Sequence, residues 1–322
     1  MDDPQNTPQK PNDPAWERQL LDKLVMASLA EQRAKRRWGI FFKLAVLVYF
    51  VAVLALVVDW EHPEKLTDGK HTAVVYLHGT IEPKGDASAE NIIGSLQSAF
   101  EDKGTAGVVL RINSPGGSPV QSGIIYDEIK RLRAKYPEVP LYAVVEDMCA
   151  SGGYYVAAAA DSIYVDKASI VGSIGVLMDG FGFTGSMEKL GVERRLLTAG
   201  ENKGFLDPFS PQDSRQKEFA QLLLNDIHLQ FIDAVRSGRG KRLKETPDMS
   251  SGLMWTGAQS VKLGLSDGFG TVDSVARDVI KAEKTVDYSV RENIAERFAK
   301  RLGADMAKSL SLGVLGGRPA IR

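Results

Sequence analysis

A single cysteine, Cys149, excludes an intramolecular disulfide in this chain of 322 residues, and the count fits an oxidising compartment as well as the cytosol. Cys149 lies in a run of small residues and reads as a packed apolar side chain rather than a reactive thiol. Charge of one sign is also missing: 40 basic residues face 41 acidic ones, for a formal net charge of -1. Without a basic field, nucleic acid is not an expected partner. Histidine is scarce as well, with only His62, His71, His78 and His228. No internal repeat or low-complexity block is evident. The 25% charged and 43% hydrophobic residues exclude a disordered or fibrous chain.

One long hydrophobic run is present. Residues 38–58 are apolar throughout except for Lys43, and 44–58 is unbroken. At about 1.5 Å per residue this stretch reaches roughly the ~30 Å of a bilayer's hydrocarbon core, and Lys43 can snorkel from near one end. Arg33, Lys35, Arg36 and Arg37 precede the run, whereas Asp59 and Glu61 follow it. That asymmetry predicts a cytoplasmic segment 1–37, a membrane anchor at 38–58 and a periplasmic or extracellular remainder, hence an inner-membrane, single-pass protein. Val57-Val58-Asp59-Trp60 is a poor cleavage site, so an uncleaved anchor is expected. Residues 1–14, rich in Pro, Asp, Asn and Gln, read as disordered.

From Lys70 onward, short apolar runs at 74–77, 108–112, 141–145 and 163–165 alternate with helical patterns at 89–100 and 118–136. In the second helix Ile124, Ile125, Ile129 and Leu132 are assigned to the buried face. This alternation predicts an α/β domain over 70–285 with a mostly parallel sheet. A long helix is expected at 213–237, then a short helix, a turn and a strand over 255–273. The remainder, 286–322, repeats apolar residues every four positions from Val290 to Leu310 and reads as a packing or oligomer-contact helix.

Two predicted strands end in glycine loops, Ser114-Pro115-Gly116-Gly117 and Cys149-Ala150-Ser151-Gly152-Gly153. Sites in open α/β sheets form outside the carboxyl ends of strands. Ser151 opens an alanine-rich helical pattern over 151–160 and reads either as an ordinary helix cap or as a nucleophile. The glycine pair behind it favours the second reading, because glycines admit another backbone at close range. In that reading the N–H of Gly152 supplies one donor of an oxyanion hole and the loop at Gly117 the other.

No histidine lies within 70 residues of Ser151, which disfavours a Ser–His triad. A lysine serves as base only when desolvation lowers its pKa from about 10.4. Lys167, Lys189 and Lys203 are the candidates downstream. Lys167 follows Asp166 at a strand end, Lys189 sits in a charged helical turn, and Lys203 occupies the glycine-flanked loop Gly200-Glu201-Asn202-Lys203-Gly204, which favours it.

The segments Arg111-Ile112-Asn113-Ser114-Pro115-Gly116-Gly117, Ala150-Ser151-Gly152-Gly153-Tyr154-Tyr155, Val171-Gly172-Ser173-Ile174-Gly175-Val176 and Gly264-Leu265-Ser266-Asp267-Gly268 together resemble the signal peptide peptidase A family, in its short, single-domain form. The resemblance covers about 73–275. It implies a Clp/crotonase-like fold of repeated β-β-α units, Ser151 as nucleophile, Lys203 as base and Ser173 orienting the lysine. It further implies apolar, signal-peptide-like substrates at the membrane, a homo-oligomer of about eight copies, and no metal or cofactor. A Clp-type protease would need a histidine about 25 residues after the serine, where this chain has Val176. Two other classes compete with the peptidase. A catalytically silent membrane scaffold on the same fold is opposed by the joint presence of Ser151 and Lys203. An acyl-CoA enzyme of crotonase type is opposed by the anchor and the outward-facing domain.

Overall fold

The structure is a computed structural model that describes residues 14–57 and 69–290. The start of the chain through residue 13 and the tail beyond Val290 lie outside the described residues. Residues 14–57 form one helix, α1 (Pro14–Val57). Trp38, Phe41, Phe42, Leu44, Leu47 and Phe50 are exposed, and at 100° per residue they point to every side of the helix. Among the described residues no helix is long and apolar enough to cross a membrane. The predicted span ends at Val58, which lies outside the described residues, as do the side chains of 53–57.

Residues 69–290 form a compact mixed α/β unit around an eight-stranded sheet. Its centre is three parallel strands, β1 (His71–His78), β2 (Thr105–Ser114) and β3 (Leu141–Ala150), connected by α2 (Ala89–Glu101) and α3 (Pro119–Lys135). Three of the four predicted apolar runs, 74–77, 108–112 and 141–145, lie within these strands. Each is buried on both faces, as parallel strands covered by crossover helices must be. Ser118 caps α3 by accepting from the Gln121 N–H, and Pro119 starts the helix where a missing N–H is harmless. Ser122, Ile125, Tyr126, Ile129 and Leu132 are its buried stripe. Ile124, assigned to that face from sequence, is exposed, because it lies one helical step of 100° away from Ile125.

After β3 the chain turns through Ser151 into α4 (Gly152–Ala157), which is shorter than its alanine content suggests. Ala158, Ala159 and Ala160 form a buried turn instead. β4 (Ser162–Val165) and β5 (Ile170–Gly172) follow, both parallel to β3. β3 changes partner along its length: Tyr142, Ala143 and Val144 pair with β4, while Met148, Cys149 and Ala150 pair with β5.

A long excursion, 175–213, carries only the short α5 (Thr184–Lys189) and returns into α6 (Ser214–Arg239). Trp255 begins no helix. It lies in β6 (Met254–Thr256), antiparallel to β5, and the helix α7 (Gly257–Leu263) starts two residues later. The reason is local: Thr256 and Gln259 form a reciprocal capping box that fixes the helix start at Gly257. The bulk of Trp255 is accommodated by Gly172, where a side-chain carbon would lie 2.7 Å from the indole.

β7 (Gly268–Phe269) pairs with β4, α8 (Val272–Ser274) continues as a π-turn over Val275–Ile280, and β8 (Thr285–Asp287) pairs with the start of β1. Beyond β8, the Tyr288 hydroxyl donates to Asp102 at 2.5 Å and lies 3.0 Å from the ring of the buried His71.

The main core packs α2, α3 and α4 on one sheet face. A smaller cluster of Val109, Val144 and Val275 covers part of the other.

Arg239, at the end of α6, has a fully buried side chain and grips Asp267 with two bonds of 2.8 Å while its Nε donates to the Gly264 carbonyl at 2.9 Å. Asp267 also accepts from the Ile163 N–H of β4 at 2.7 Å. Burial pushes its carboxyl upward, but the bonds from Arg239 and Ile163 and the Arg239 and Arg242 charges outweigh that and hold it below the ordinary aspartate range. A depressed carboxylate stabilises the fold above its unfolded value of about 3.9, and the gain disappears as pH falls through the folded value. Asp267→Asn is expected to destabilise the domain by about 3–5 kcal/mol at pH 7, by leaving Arg239 buried without its counter-charge. In denaturant titrations the gap between parent and variant should narrow below about pH 4. A gap that is constant with pH would show that the pairing contributes nothing of this kind.

Candidate active site

Ser151 occupies the cap position of α4 but does not behave as a cap. Ser88, Ser118 and Thr256 precede their helices in extended conformation and accept from the Asn91, Gln121 and Gln259 N–H groups. Ser151 instead has φ 52° and ψ -124°, and its hydroxyl makes no capping bond. Such backbone angles cost a non-glycine residue about 1–3 kcal/mol and persist only where surrounding contacts dictate them. Here the Ser151 N–H donates to Gly172 O at 2.8 Å, and the Ser151 carbonyl accepts from Tyr155 N at 3.0 Å. The result is a sharp strand-to-helix turn with an unengaged hydroxyl.

The loop after β2 closes onto this turn. Gly116 and Gly117 have φ of 100° and 149°. A side chain at Gly116 would lie 2.7 Å from both Gly152 N and the Ser151 Cβ. One at Gly152 would lie 3.2 Å from Gly117 N and 2.4 Å from the Ser122 hydroxyl. Ile81 fixes the loop from behind, donating to Gly116 O and accepting from Ser118 N, both at 2.8 Å. Among the described residues, neither the Gly117 N–H nor the Gly152 N–H has an acceptor, so two free main-chain donors lie side by side next to the Ser151 hydroxyl.

Ser173 arrives through strand register. Ala150 of β3 pairs with Gly172 of β5, so Ser151 and Ser173 are the next residues on neighbouring parallel strands. Ser173 also has a positive φ of 54°, and its N–H is held by Leu253 O at 2.7 Å. Ser151, Ser173, Gly117 and Gly152 thus line one cleft of about 530 Å³. Lys203 does not line it. It lies exposed in the 200–206 turn of the excursion, and Lys167 and Lys189 are absent from the lining as well. The lining contains no lysine, histidine or carboxylate, so among the described residues of one chain the serine has no base beside it. Nor do the described residues contain a cluster of His, Cys, Asp or Glu able to hold a metal ion. Cys149 is fully buried, and burial pushes its thiol well above the usual range.

The cleft walls were not evident from sequence. They include Tyr155, Leu177, Ile227 and Phe231. Tyr155 packs tilted against Phe231 at 4.9 Å and meets Tyr126 edge-on at 5.4 Å, so an aromatic group braces the wall. The expected helix at 213–237 is α6, and the signal that could have placed one of its faces on the cleft is the spacing of Ile227, Phe231 and Ala234. It marks one helix face within a stretch that otherwise reads as surface.

A serine in a strained strand-to-helix turn on a mostly parallel sheet is the arrangement that serine hydrolases use. A profile of peptidase family S49 matches residues 133–287. The chain is 46% identical over 209 residues to a Na(+)/H(+) antiporter NhaA of Brucella melitensis, covering 63% of this chain but only 28% of that longer protein. It is 32% identical over 243 residues to a protein of Methanocaldococcus jannaschii named as a protease, covering 71% and 77% of the two chains. It is 28% identical over 237 residues to a protein of Enterococcus faecium named as signal peptide peptidase SppA, covering 71% and 68%. The chain belongs to peptidase family S49, the signal peptide peptidase A family.

The close approach of the two glycine loops yields a direct test. Gly116→Ala should lower the rate at which a fluorophosphonate labels Ser151 by about 10²-fold, by forcing the Ser151–Gly152 turn away from the loop. Unchanged labelling in the folded variant would mean that the contact does not shape the site.

Proposed function

We propose that this chain is a membrane-anchored serine endopeptidase that cleaves remnant signal peptides and similar apolar peptides in or near the membrane. The observation that carries the reading is the strained Ser151, its hydroxyl unengaged, beside the free Gly117 and Gly152 donors in a cleft with apolar walls. Membership of a peptidase family supports it. A silent scaffold would have no use for the strain at Ser151, since such conformations cluster at functional sites. The mostly parallel sheet with crossover helices is also what a Clp/crotonase-like domain requires.

In this mechanism Lys203 takes the Ser151 proton as the hydroxyl oxygen attacks the scissile carbonyl. The Gly117 and Gly152 N–H groups hold the resulting oxyanion. Lys203 returns the proton to the leaving amine and then activates the water that hydrolyses the acyl-enzyme. The Ser173 hydroxyl orients the lysine amine. No metal or cofactor takes part.

Because Lys203 is outside the cleft of its own chain, we assign the base to Lys203 of another copy, within a homo-oligomer of about eight. The apolar surface of the excursion and of the α6 start supports such an assembly. Leu177, Phe181, Leu190 and Leu197 are 80%, 79%, 77% and 97% exposed, and apolar patches of this kind mark contact surfaces. The anchor is 38–58, supported by the uninterrupted α1 and by the uncovered apolar side chains on all its sides. Over residues 38–52 α1 presents apolar side chains to every side apart from Lys43, and such a surface favours an apolar environment.

Ser151→Ala should be inactive and unlabelled by a fluorophosphonate while remaining folded. Lys203→Arg should be as inactive as Lys203→Ala, because a guanidinium does not give up its proton at working pH. Copies carrying Ser151→Ala, coassembled with copies carrying Lys203→Ala, should regain part of the peptide turnover. Turnover by Ser151→Ala near the parent rate would overturn the assignment of Ser151 as nucleophile. A mixture that stays inactive although it coassembles would place the base elsewhere.

Topology has its own test. A reporter that functions only outside the cytoplasm should be active when fused after residue 70, and the reverse result would overturn the orientation.

A further inference from the structure

α6 turns Ile227 and Phe231 into the cleft, but His228, between them in sequence, does not line it. His228 is half-buried, and its Nε2 lies 3.2 Å from the carbonyl oxygen of Ile174. A carbonyl only accepts, so Nε2 carries the proton and donates.

Ile174 occupies a critical place in the chain. Two residues earlier, Gly172 accepts from the Ser151 N–H, and one residue earlier Ser173 is held in its positive-φ conformation by Leu253. Immediately afterwards Gly175, Val176 and Leu177 form part of the cleft wall as the chain leaves the sheet. Among the described residues, the next main-chain hydrogen bond after Ile174 is the one from Phe183 N to Pro208 O, at 2.8 Å. The bond from His228 is therefore the last fastening of this strand exit. Ile174 itself is buried, so its carbonyl would otherwise lose water without gaining a donor.

We propose that His228 is a positioning residue of the reaction: it ties the root of the 175–213 excursion to α6. The tie keeps Ser173 and the wall at Gly175, Val176 and Leu177 in place opposite Ser151. The inference rests on the reading of Ser151 as nucleophile. His228 does not line the cleft with Ser151, so it acts through the Ile174 carbonyl and not as the base.

The test uses the full chain with two readouts, peptide turnover and deuterium uptake by the Ser151 and Ser173 amides, which Gly172 and Leu253 hold. His228→Ala should lower kcat/KM by about tenfold to a hundredfold, the scale of a small misplacement in a site. Uptake at these amides should rise, with the melting temperature near the parent's. His228→Gln keeps an N–H donor at a similar reach and should restore most of both. Parent-like turnover in His228→Ala, or equal loss in His228→Gln and His228→Ala, would overturn the proposal. Should the parent itself fail to cleave peptides, the peptidase reading falls. A rise in uptake for Ala that Gln reverses would then still support the tie, and parent-like uptake in Ala would refute it.

Discussion

The main-chain bond from Ser151 N–H to Gly172 O closes the end of β3 onto the end of β5, and the geometry of the site follows from it. β3 can make that bond only because it releases β4 after Val144 and takes up β5 at Met148. Parallel register then delivers two serines from adjacent strand ends into the same opening. Both have positive φ, so both side chains leave the line of their strands where the sheet ends. Sites at the carboxyl ends of parallel strands depend on such neighbouring exits.

A second constraint is the lack of side chains between the loops after β2 and β3. Gly116 touches the Ser151–Gly152 turn at a distance no Cβ would permit, and Gly152 leaves room for the Ser122 hydroxyl of α3. The free donors at Gly117 and Gly152 are close together because both residues are bare. Small residues here set the spacing of polar main-chain groups, while the bulk that shapes the cleft comes from Tyr155, Ile227 and Phe231.

Much of the sheet was legible because its central strands are continuous apolar runs bounded by turn residues, and α3 because Ser118 and Pro119 mark its start. The glycine loops were legible for the same reason, since they interrupt patterned segments. β5 and β6 were not. Each is three residues long, and their pairing joins positions about eighty residues apart, so no local period announces them. Trp255 was misjudged for that reason. The place of Lys203 could not be read either, because the 175–213 excursion has almost no regular structure from which a side chain's surroundings follow. The shared opening of Ser151 and Ser173 depends on the Ala150–Gly172 register, which only the fold supplies.

The pairing of β1 with both β2 and β8 has a mechanical consequence. β1 is the first strand after the described chain resumes at Gly69, and it runs parallel to both neighbours. A pull entering along β1 from that end acts parallel to the strands and across their hydrogen bonds. The bonds to β2, from His71 to His78, are loaded together in shear instead of opening one after another like a zip. The Tyr288 hydroxyl, held between Asp102 and His71, lies at the end where such a load would arrive. The sheet is thus braced along the direction in which traction on the preceding segment would reach the Ser151 turn.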